Sequence, residues 1–161
     1  MMVYISGALK ASRDLARARA LYESVAEIVT LAGHIAYLPH QFTDPEYAVT
    51  ASPVQVFQRD LAALRSADGV LAFLGEPSLG VGAEIAICTQ AKTPLLGLHR
   101  PGDDVSRFAV GLLEAAGARL VCYANAIELE AAIHKFLEEV NVREVSRGAA
   151  RTSSLVLSPT L

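Results

Sequence analysis

Short apolar runs alternate with longer amphipathic segments along most of the chain. The runs have the length and the flanking turn residues of strands that are buried on both faces, and they lie at residues 3–6, 34–38, 69–74, 93–98 and 120–123. The amphipathic segments carry apolar residues at helical spacing, and they lie at residues 14–31, 52–64, 83–91, 106–116 and 126–140. This alternation predicts an α/β fold: one domain with a doubly wound, Rossmann-like or flavodoxin-like sheet of five parallel strands.

Local signals refine where the segments begin and end. Ser52 followed by a proline is typical of a helix N-cap and the first helical residue, and we expect this helix to direct Phe57 inward. Residues 39–51 predict a long polar loop. Residues 145–161 lose the periodicity and gain Ser, Thr, Gly and Pro, so we expect a mobile tail there, after a domain at residues 1–144.

The composition favours one compact domain and argues against several classes of partner. The 161 residues are 52% hydrophobic, which is enough for one sizeable core. A net charge of −3 with scattered basic residues argues against a nucleic-acid surface, and no apolar run approaches the length of a membrane span. Cys88 and Cys122 lie within apolar patterns, without metal-ligand spacing to the histidines. We therefore expect no disulfide, metal or cofactor, and a cytoplasmic protein.

One run combines a turn of small residues with a hydroxyl and a carboxylate, directly after the third predicted strand. It reads Glu-Pro-Ser-Leu-Gly-Val-Gly-Ala-Glu at residues 76–84. Open parallel sheets bind ligands at the carboxyl ends of their strands, and the unpaired N–H groups at a helix start suit a phosphate. The same field favours an ionised Glu84, the state that a nucleophile needs. The alternative is that Ser78 only caps the helix and Glu84 is a solvated acid in its first turn.

Several segments together resemble the nucleoside 2-deoxyribosyltransferase superfamily. They are Val-Tyr-Ile-Ser-Gly at residues 3–7, Arg-Asp-Leu at 59–61 with Ala-Asp at 67–68, the run at 77–84, Lys-Thr-Pro at 92–94 and Arg-Pro at 100–101. The resemblance covers roughly residues 2–140 and is strongest to the hydrolytic branch, the 2'-deoxynucleoside 5'-monophosphate N-glycosidases. The stretch Pro-Ser-Leu-Gly-Val-Gly-x-Glu is its most specific part.

The resemblance implies three catalytic residues. Glu84 corresponds to the glutamate that attacks the sugar C1' and forms a glycosyl-enzyme intermediate, and Tyr4 to a tyrosine whose hydroxyl orients that glutamate. Asp60 corresponds to a second acid that is implicated in proton transfer. One carboxylate that traps an oxocarbenium-like state and one acid that assists the departing base suit cleavage of an N-glycosidic bond. On residue type alone, Asp60 also fits a solvated helix acid and Tyr4 a half-buried strand aromatic.

The resemblance also implies the residues that hold the sugar and its 5'-phosphate. Gly7, Ser78 and Gly80 correspond to positions that close around these groups, and the backbone amide of Gly82 lies in the same turn. Lys10 is the nearest cation in the sequence. A lysine binds phosphate as a point charge rather than as a bidentate fork, so the phosphate affinity is expected to be modest.

A homodimer with a shared active site is implied as well. Ser106 corresponds, after an assumed two-residue deletion that Gly111 supports, to a serine that reaches the phosphate in the neighbouring subunit. The helix that begins there carries Phe108 and other apolar residues that suit an interface, and ordinary core packing explains them equally.

The loop after the second strand faces the base in this superfamily. His40 and Gln41 have the donors and acceptors to hydrogen-bond a base edge, and Phe42 has a ring that can stack on it. A solvated loop histidine is the alternative for His40.

These inferences together predict a hydrolase. Its reaction would cleave the N-glycosidic bond of a (deoxy)nucleoside 5'-monophosphate and release the free base and (deoxy)ribose 5-phosphate. Two alternatives remain: a nucleoside 2-deoxyribosyltransferase that exchanges bases on unphosphorylated nucleosides, and a non-catalytic nucleotide-binding module.

Overall fold

A parallel β-sheet forms the centre of the protein in the computed structural model, which describes residues 1–9, 12–43 and 50–155 and, of these, side chains up to residue 143. The five strands lie in the order β2-β1-β3-β4-β5, and they are β1 Met2–Ser6, β2 Ile35–Tyr37, β3 Gly69–Phe73, β4 Leu95–His99 and β5 Arg119–Cys122. The helices are α1 Leu15–Leu31, α2 His40–Thr43, α3 Pro53–Ser66, α4 Leu79–Ala91, α5 Arg107–Ala115 and α6 Ala126–Leu155. The predicted doubly wound sheet is confirmed.

The helices cover the two faces of the sheet and bury one core on each. Side chains of α1 and α6 pack on one face, together with Val3 and Ile5 of β1. Side chains of α3, α4 and α5 pack on the other face, together with Tyr4. Because side chains alternate along a strand, Ser6 points to the same face as Tyr4. The strand order reverses between β1 and β3, and this switch point is where open α/β sheets bind ligands.

Capping residues mark several helix boundaries, among them the predicted cap at Ser52. Asp14 caps α1, and Gly33 adopts a positive φ of 83° just after that helix ends. Ser52 forms a full capping box with Gln55 at the start of α3. None of the helices in the described part of the chain is long and apolar enough to cross a membrane.

Three predicted boundaries are wrong. The predicted loop at 39–51 contains the short helix α2. Helix α4 begins at Leu79 rather than at residue 83, because Ser78 caps it there and Val81 packs into the core despite two glycines in the first turns. Helix α6 does not end at residue 140 but runs to Leu155, through the start of the predicted tail. Residues 156–161 lie outside the described residues, and the mobility of segment 145–161 stays a prediction.

The buried stripe of α3 also differs from the prediction. Phe57 is 58% exposed, whereas Leu64 is 2% exposed. Val56, Asp60 and Leu64 follow one another at a spacing of four residues and therefore share the inward face. Asp60 thus occupies a position where helical periodicity would otherwise place an apolar side chain.

Candidate active site

The carboxylate of Glu84 lies against the end of β1, where two hydroxyl groups donate to it. The Tyr4 hydroxyl donates to Oε1 at 2.7 Å, and the Ser6 hydroxyl donates to Oε2 at 2.5 Å. Tyr4 and Ser6 are both 0% exposed. Each carboxylate oxygen therefore has its own buried donor, and the plane of the carboxylate is fixed.

The electrostatics of Glu84 differ from those predicted for the first turn of a helix. Glu84 lies in the second turn of α4, and the first turn holds no acidic residue. Because the helix-dipole effect fades beyond the first turn, other influences dominate. Burial raises the pKa of the Glu84 carboxyl, the hydrogen bonds from Ser6 and Tyr4 act to lower it, and the nearby Asp60 raises it. Glu84 is thus neither a solvated acid nor one that the helix start ionises.

Asp60 is held by hydroxyls from two other elements. The Tyr37 hydroxyl at the end of β2 donates to Oδ1 at 3.3 Å, and the Thr43 hydroxyl of α2 lies 3.0 Å from Oδ2 and 3.2 Å from Oδ1. Burial raises the pKa of Asp60, while the contacts with Thr43 and Tyr37 and the charge of Arg59 lower it. The alternative of a freely solvated helix acid is therefore wrong.

A stacked tyrosine pair connects the two acids. Tyr4 of β1 and Tyr37 of β2 are register partners in the parallel sheet. Their rings stack with centroids 5.3 Å apart and an interplanar angle of 18°. One hydroxyl reaches Glu84 and the other reaches Asp60. The structure thus brings Glu84, Asp60 and Tyr4 together, as the resemblance implies.

Sequence reasoning missed three members of this cluster: Ser6, Tyr37 and Thr43. Ser6 had a detectable signal, because it is a hydroxyl at the end of an apolar strand and lies two residues after Tyr4, on the same face. Tyr37 and Thr43 had none, because their contacts with Asp60 depend on how β2 and α2 pack beside α3.

The predicted phosphate turn is the start of helix α4. The Ser78 hydroxyl accepts the N–H of Val81 at 3.4 Å, and the N–H of Gly82 donates to the Ser78 carbonyl at 3.1 Å. The Gly82 amide is therefore engaged within the helix. Among the described residues, the N–H groups of Leu79 and Gly80 have no acceptor. Within the described part of the chain, a Cβ at Gly82 would meet nothing within 4 Å and one at Gly80 only the Ser78 hydroxyl at 3.7 Å, so open space lies beside both.

The loop after β1 is shaped by the packing of Tyr22. A Cβ at Gly7 would overlap the ring of Tyr22, whose hydroxyl donates to the Ala8 carbonyl at 3.2 Å. The N–H of Arg13 donates to the Glu76 carboxylate at 3.1 Å and so joins this loop to the one after β3. Lys10 lies outside the described residues, so its predicted contact with a phosphate stays a prediction.

The remaining predicted binding residues lie at the ends of other elements. Ser106 is exposed and caps α5, its hydroxyl accepting the N–H of Ala109 at 3.5 Å. His40 is 8% exposed, with Nε2 3.3 Å from the Glu23 carboxylate of α1, so the solvated alternative is wrong. Gln41 is exposed. The role of each at the substrate stays a prediction.

Comparison with known proteins shows the family to which the chain belongs. No protein-family model matches the chain. A 5-hydroxymethyl-dUMP N-hydrolase from Mus musculus is 30% identical over an alignment of 166 residues, which covers 99% of this chain and 91% of the relative. A protein from Thermofilum pendens, provisionally named 2'-deoxynucleoside 5'-phosphate N-hydrolase 1, is 33% identical over 133 residues, covering 80% of this chain and 89% of the relative.

A solved structure shows the same fold. The CMP N-glycosidase BcmB of Clostridium botulinum superposes with a TM-score of 0.60 at 17% identity, covering 82% of this chain and 96% of that one. The chain therefore belongs to the nucleoside 2-deoxyribosyltransferase superfamily, in its deoxynucleoside 5'-phosphate N-hydrolase branch.

Proposed function

We propose that this protein hydrolyses the N-glycosidic bond of a (deoxy)nucleoside 5'-monophosphate and releases the free base and (deoxy)ribose 5-phosphate. The observation that carries this proposal is the Glu84 carboxylate, held by two buried hydroxyls beside a second part-buried acid, Asp60. A pure binding module has no need for a fixed carboxylate of this kind. The names of two relatives that align with 99% and 80% of this chain, a 5-hydroxymethyl-dUMP N-hydrolase and a protein provisionally named 2'-deoxynucleoside 5'-phosphate N-hydrolase 1, support the same proposal.

The proposed reaction assigns opposite protonation states to the two acids. Glu84 attacks the sugar C1' as a carboxylate while the C1'–N bond breaks, its electron pair passes to the base, and Asp60 gives the base a proton. A water molecule then attacks C1', gives a proton back to Asp60 and releases Glu84. Burial raises the pKa of both carboxyls, and hydroxyl donors act against it at both. The charged role is given to Glu84 because each of its oxygens accepts a hydrogen bond from a fully buried hydroxyl, that of Tyr4 or Ser6. Two nearby carboxyl groups with one proton are a recurrent catalytic arrangement.

The 5'-phosphate of the substrate would lie at the start of α4. The N–H groups of Leu79 and Gly80 point outward from that helix end, where the dipole favours an anion. The space beside Gly80 and Gly82 supports this site, because no side chain in the described part of the chain fills it. The Ser78 hydroxyl lies in the same turn, and Lys10 would add charge.

We further infer a homodimer through the face that α3, α4 and α5 cover. Large apolar side chains on these helices are exposed: Val54 by 61%, Phe57 by 58%, Leu79 by 97% and Phe108 by 81%. Their position on neighbouring helices of one face supports an interaction surface, which a second copy would bury. Ser106 lies two residues before Phe108, so a partner on this face would bring its own Ser106 near the interface.

A chromatographic assay over nucleosides and their 5'-monophosphates, with and without a free acceptor base, tests the activity. Hydrolysis of a monophosphate should give base and sugar phosphate in equal amounts, whether or not an acceptor is present. Base exchange on unphosphorylated nucleosides would replace this proposal with the deoxyribosyltransferase. Tight nucleotide binding without turnover would replace it with the binding module.

A further inference from the structure

Tyr4 and Tyr37 occupy equivalent positions on neighbouring strands, but the proposed reaction gives a role to Tyr4 alone. Tyr4 and Tyr37 are register partners on neighbouring strands, and each donates its hydroxyl to a different acid. Tyr4 orients the nucleophile Glu84. Tyr37 makes the same type of contact with Asp60.

The Tyr37 side chain is well placed to orient a neighbour. Its ring stacks on Tyr4 and also on Phe42, with centroids 5.3 Å and 5.1 Å away and interplanar angles of 18° and 16°. These contacts restrict rotation of the ring and fix where its hydroxyl lies. Burial, and to a lesser extent the charge of Asp60, raise the pKa of Tyr37 to about 12. The hydroxyl therefore keeps its proton and remains a donor at neutral pH.

The second contact of Asp60, with Thr43, competes with another acceptor. The Thr43 hydroxyl lies within 3.2 Å of both carboxyl oxygens, but it also lies 2.9 Å from the carbonyl of Pro39. A hydroxyl has one proton and donates to one acceptor at a time. When Thr43 donates to Pro39, Tyr37 is the side-chain donor that remains for Asp60 among the described residues.

We propose that Tyr37 is a positioning residue for Asp60: its hydroxyl aims the acid at the leaving base and stabilises the carboxylate left when the proton has gone. This inference rests on the proposed function. As the C1'–N bond breaks, its electrons pass to the base, the proton moves from Asp60 to a base nitrogen, and Asp60 becomes an anion. A hydrogen bond to an anion is stronger than one to a neutral acid, so the contact with Tyr37 strengthens during the step.

The test compares two leaving groups in the full-length protein. Tyr37→Phe keeps the stacked ring and removes only the hydroxyl. One substrate is a deoxynucleoside 5'-monophosphate, whose base needs a proton. The other is 2-deoxyribose 5-phosphate with 4-nitrophenol at C1', which leaves as an anion without a proton. Tyr37→Phe should lower kcat about tenfold or more on the nucleotide, with little change in KM, and change kcat on the nitrophenyl substrate by less than about threefold.

A variant that alters the surroundings of Glu84 provides the matched control. Ser6→Ala removes a hydroxyl that donates to Glu84. Both substrates need Glu84 as the nucleophile, so this variant should slow their cleavage by a similar factor. Asp60→Asn should repeat the pattern of Tyr37→Phe with a larger loss on the nucleotide, about a hundredfold or more. Thermal melting shows whether each variant folds. If Tyr37→Phe does not fold, a fluorotyrosine at position 37 takes its place: it keeps the ring and makes the hydroxyl more acidic, so kcat should change on the nucleotide and not on the nitrophenyl substrate.

The outcomes separate this inference from the proposed function. Equal losses on both substrates, or a wild-type rate on the nucleotide, would overturn the role of Tyr37 while leaving the hydrolase intact. A wild-type protein that cleaves no monophosphate would instead remove the proposed function itself.

Discussion

Glu84 is the residue on which the proposed chemistry depends, and its amide analogue tests it most directly. Glu84→Gln keeps the size of the side chain, and its carbonyl oxygen still accepts from one of the two hydroxyls while its NH2 group faces the other as a donor. An amide cannot attack C1' as an anion. We expect turnover to fall below detection with an unchanged melting temperature, measured by base release and by circular dichroism. A folded variant with the wild-type rate would rule out the covalent intermediate.

Ser6 offers a prediction about pH at the same scale. Three neighbouring groups shift the pKa of the Glu84 carboxyl: the hydroxyls of Ser6 and Tyr4 on β1 and the carboxyl of Asp60 on α3. The Glu84 carboxyl in turn raises the pKa of the Cys88 thiol on α4, after burial. A donor to a carboxylate lowers its pKa, so Ser6→Ala should raise the pKa of Glu84. Because the nucleophile must be ionised, the acidic limb of the kcat/KM profile should move to higher pH.

The control for this prediction is Ser24→Ala, which removes an exposed hydroxyl that donates only within α1. Its pH profile should match that of the wild type. If Ser6→Ala lowered the rate with an unchanged acidic limb, Ser6 would matter for packing and not for the charge of Glu84.

At the scale of elements, the start of α4 determines the predicted preference for a 5'-phosphate. A hydrogen bond to a charged group contributes about 1.5 to 3 kcal/mol, so losing several such contacts should reduce kcat/KM for a nucleoside at least about a hundredfold relative to its monophosphate. Ser78→Ala should narrow this ratio by weakening only the phosphorylated substrate. Steady-state kinetics on matched substrate pairs measures the effect.

Ser78 is also an N-cap, so its removal should destabilise α4 by about 1 kcal/mol whatever it binds. Ser52→Ala removes a comparable cap from α3 and serves as the matched control. It should lower the melting temperature and leave the ratio of the two substrates unchanged. A ratio near one in the wild type would rule out a phosphate site that contributes to catalysis and would favour the deoxyribosyltransferase over the hydrolase.

For the whole molecule, the apolar face of α3, α4 and α5 predicts self-association. Phe108→Ser should shift the protein from dimer towards monomer in sedimentation at micromolar concentration, because it removes an 81% exposed aromatic ring from that face. Ile127→Ser is the matched control, since Ile127 is 80% exposed but belongs to α6, which covers the opposite face. A fully active monomer would contradict a shared active site.

The sequence by itself determined the five strands, the helices other than α2, their order along the chain and the segment that carries Glu84. Strand and helix periodicity and the cap at Ser52 depend on neighbours within a few residues, so they can be read along the chain. The run at 76–84 showed both the helix cap and the acid. Its glycines led to a predicted start of α4 that is four residues too late, because glycine is a poor helix former and a common turn residue.

Only the tertiary structure decided how the acids are held. Ser6 meets Glu84 across 78 residues and Tyr37 meets Asp60 across 23, and neither distance follows from local propensity. The register between β1 and β2 stacks Tyr4 on Tyr37 and so sets where both hydroxyls lie. Burial then raised the pKa of Glu84, where the field of a helix start alone predicts an easily ionised acid. The hydrogen-bond partners of the two acids and their burial depend on how the elements pack together. The hydrophobic periodicity of a single element does not determine that packing.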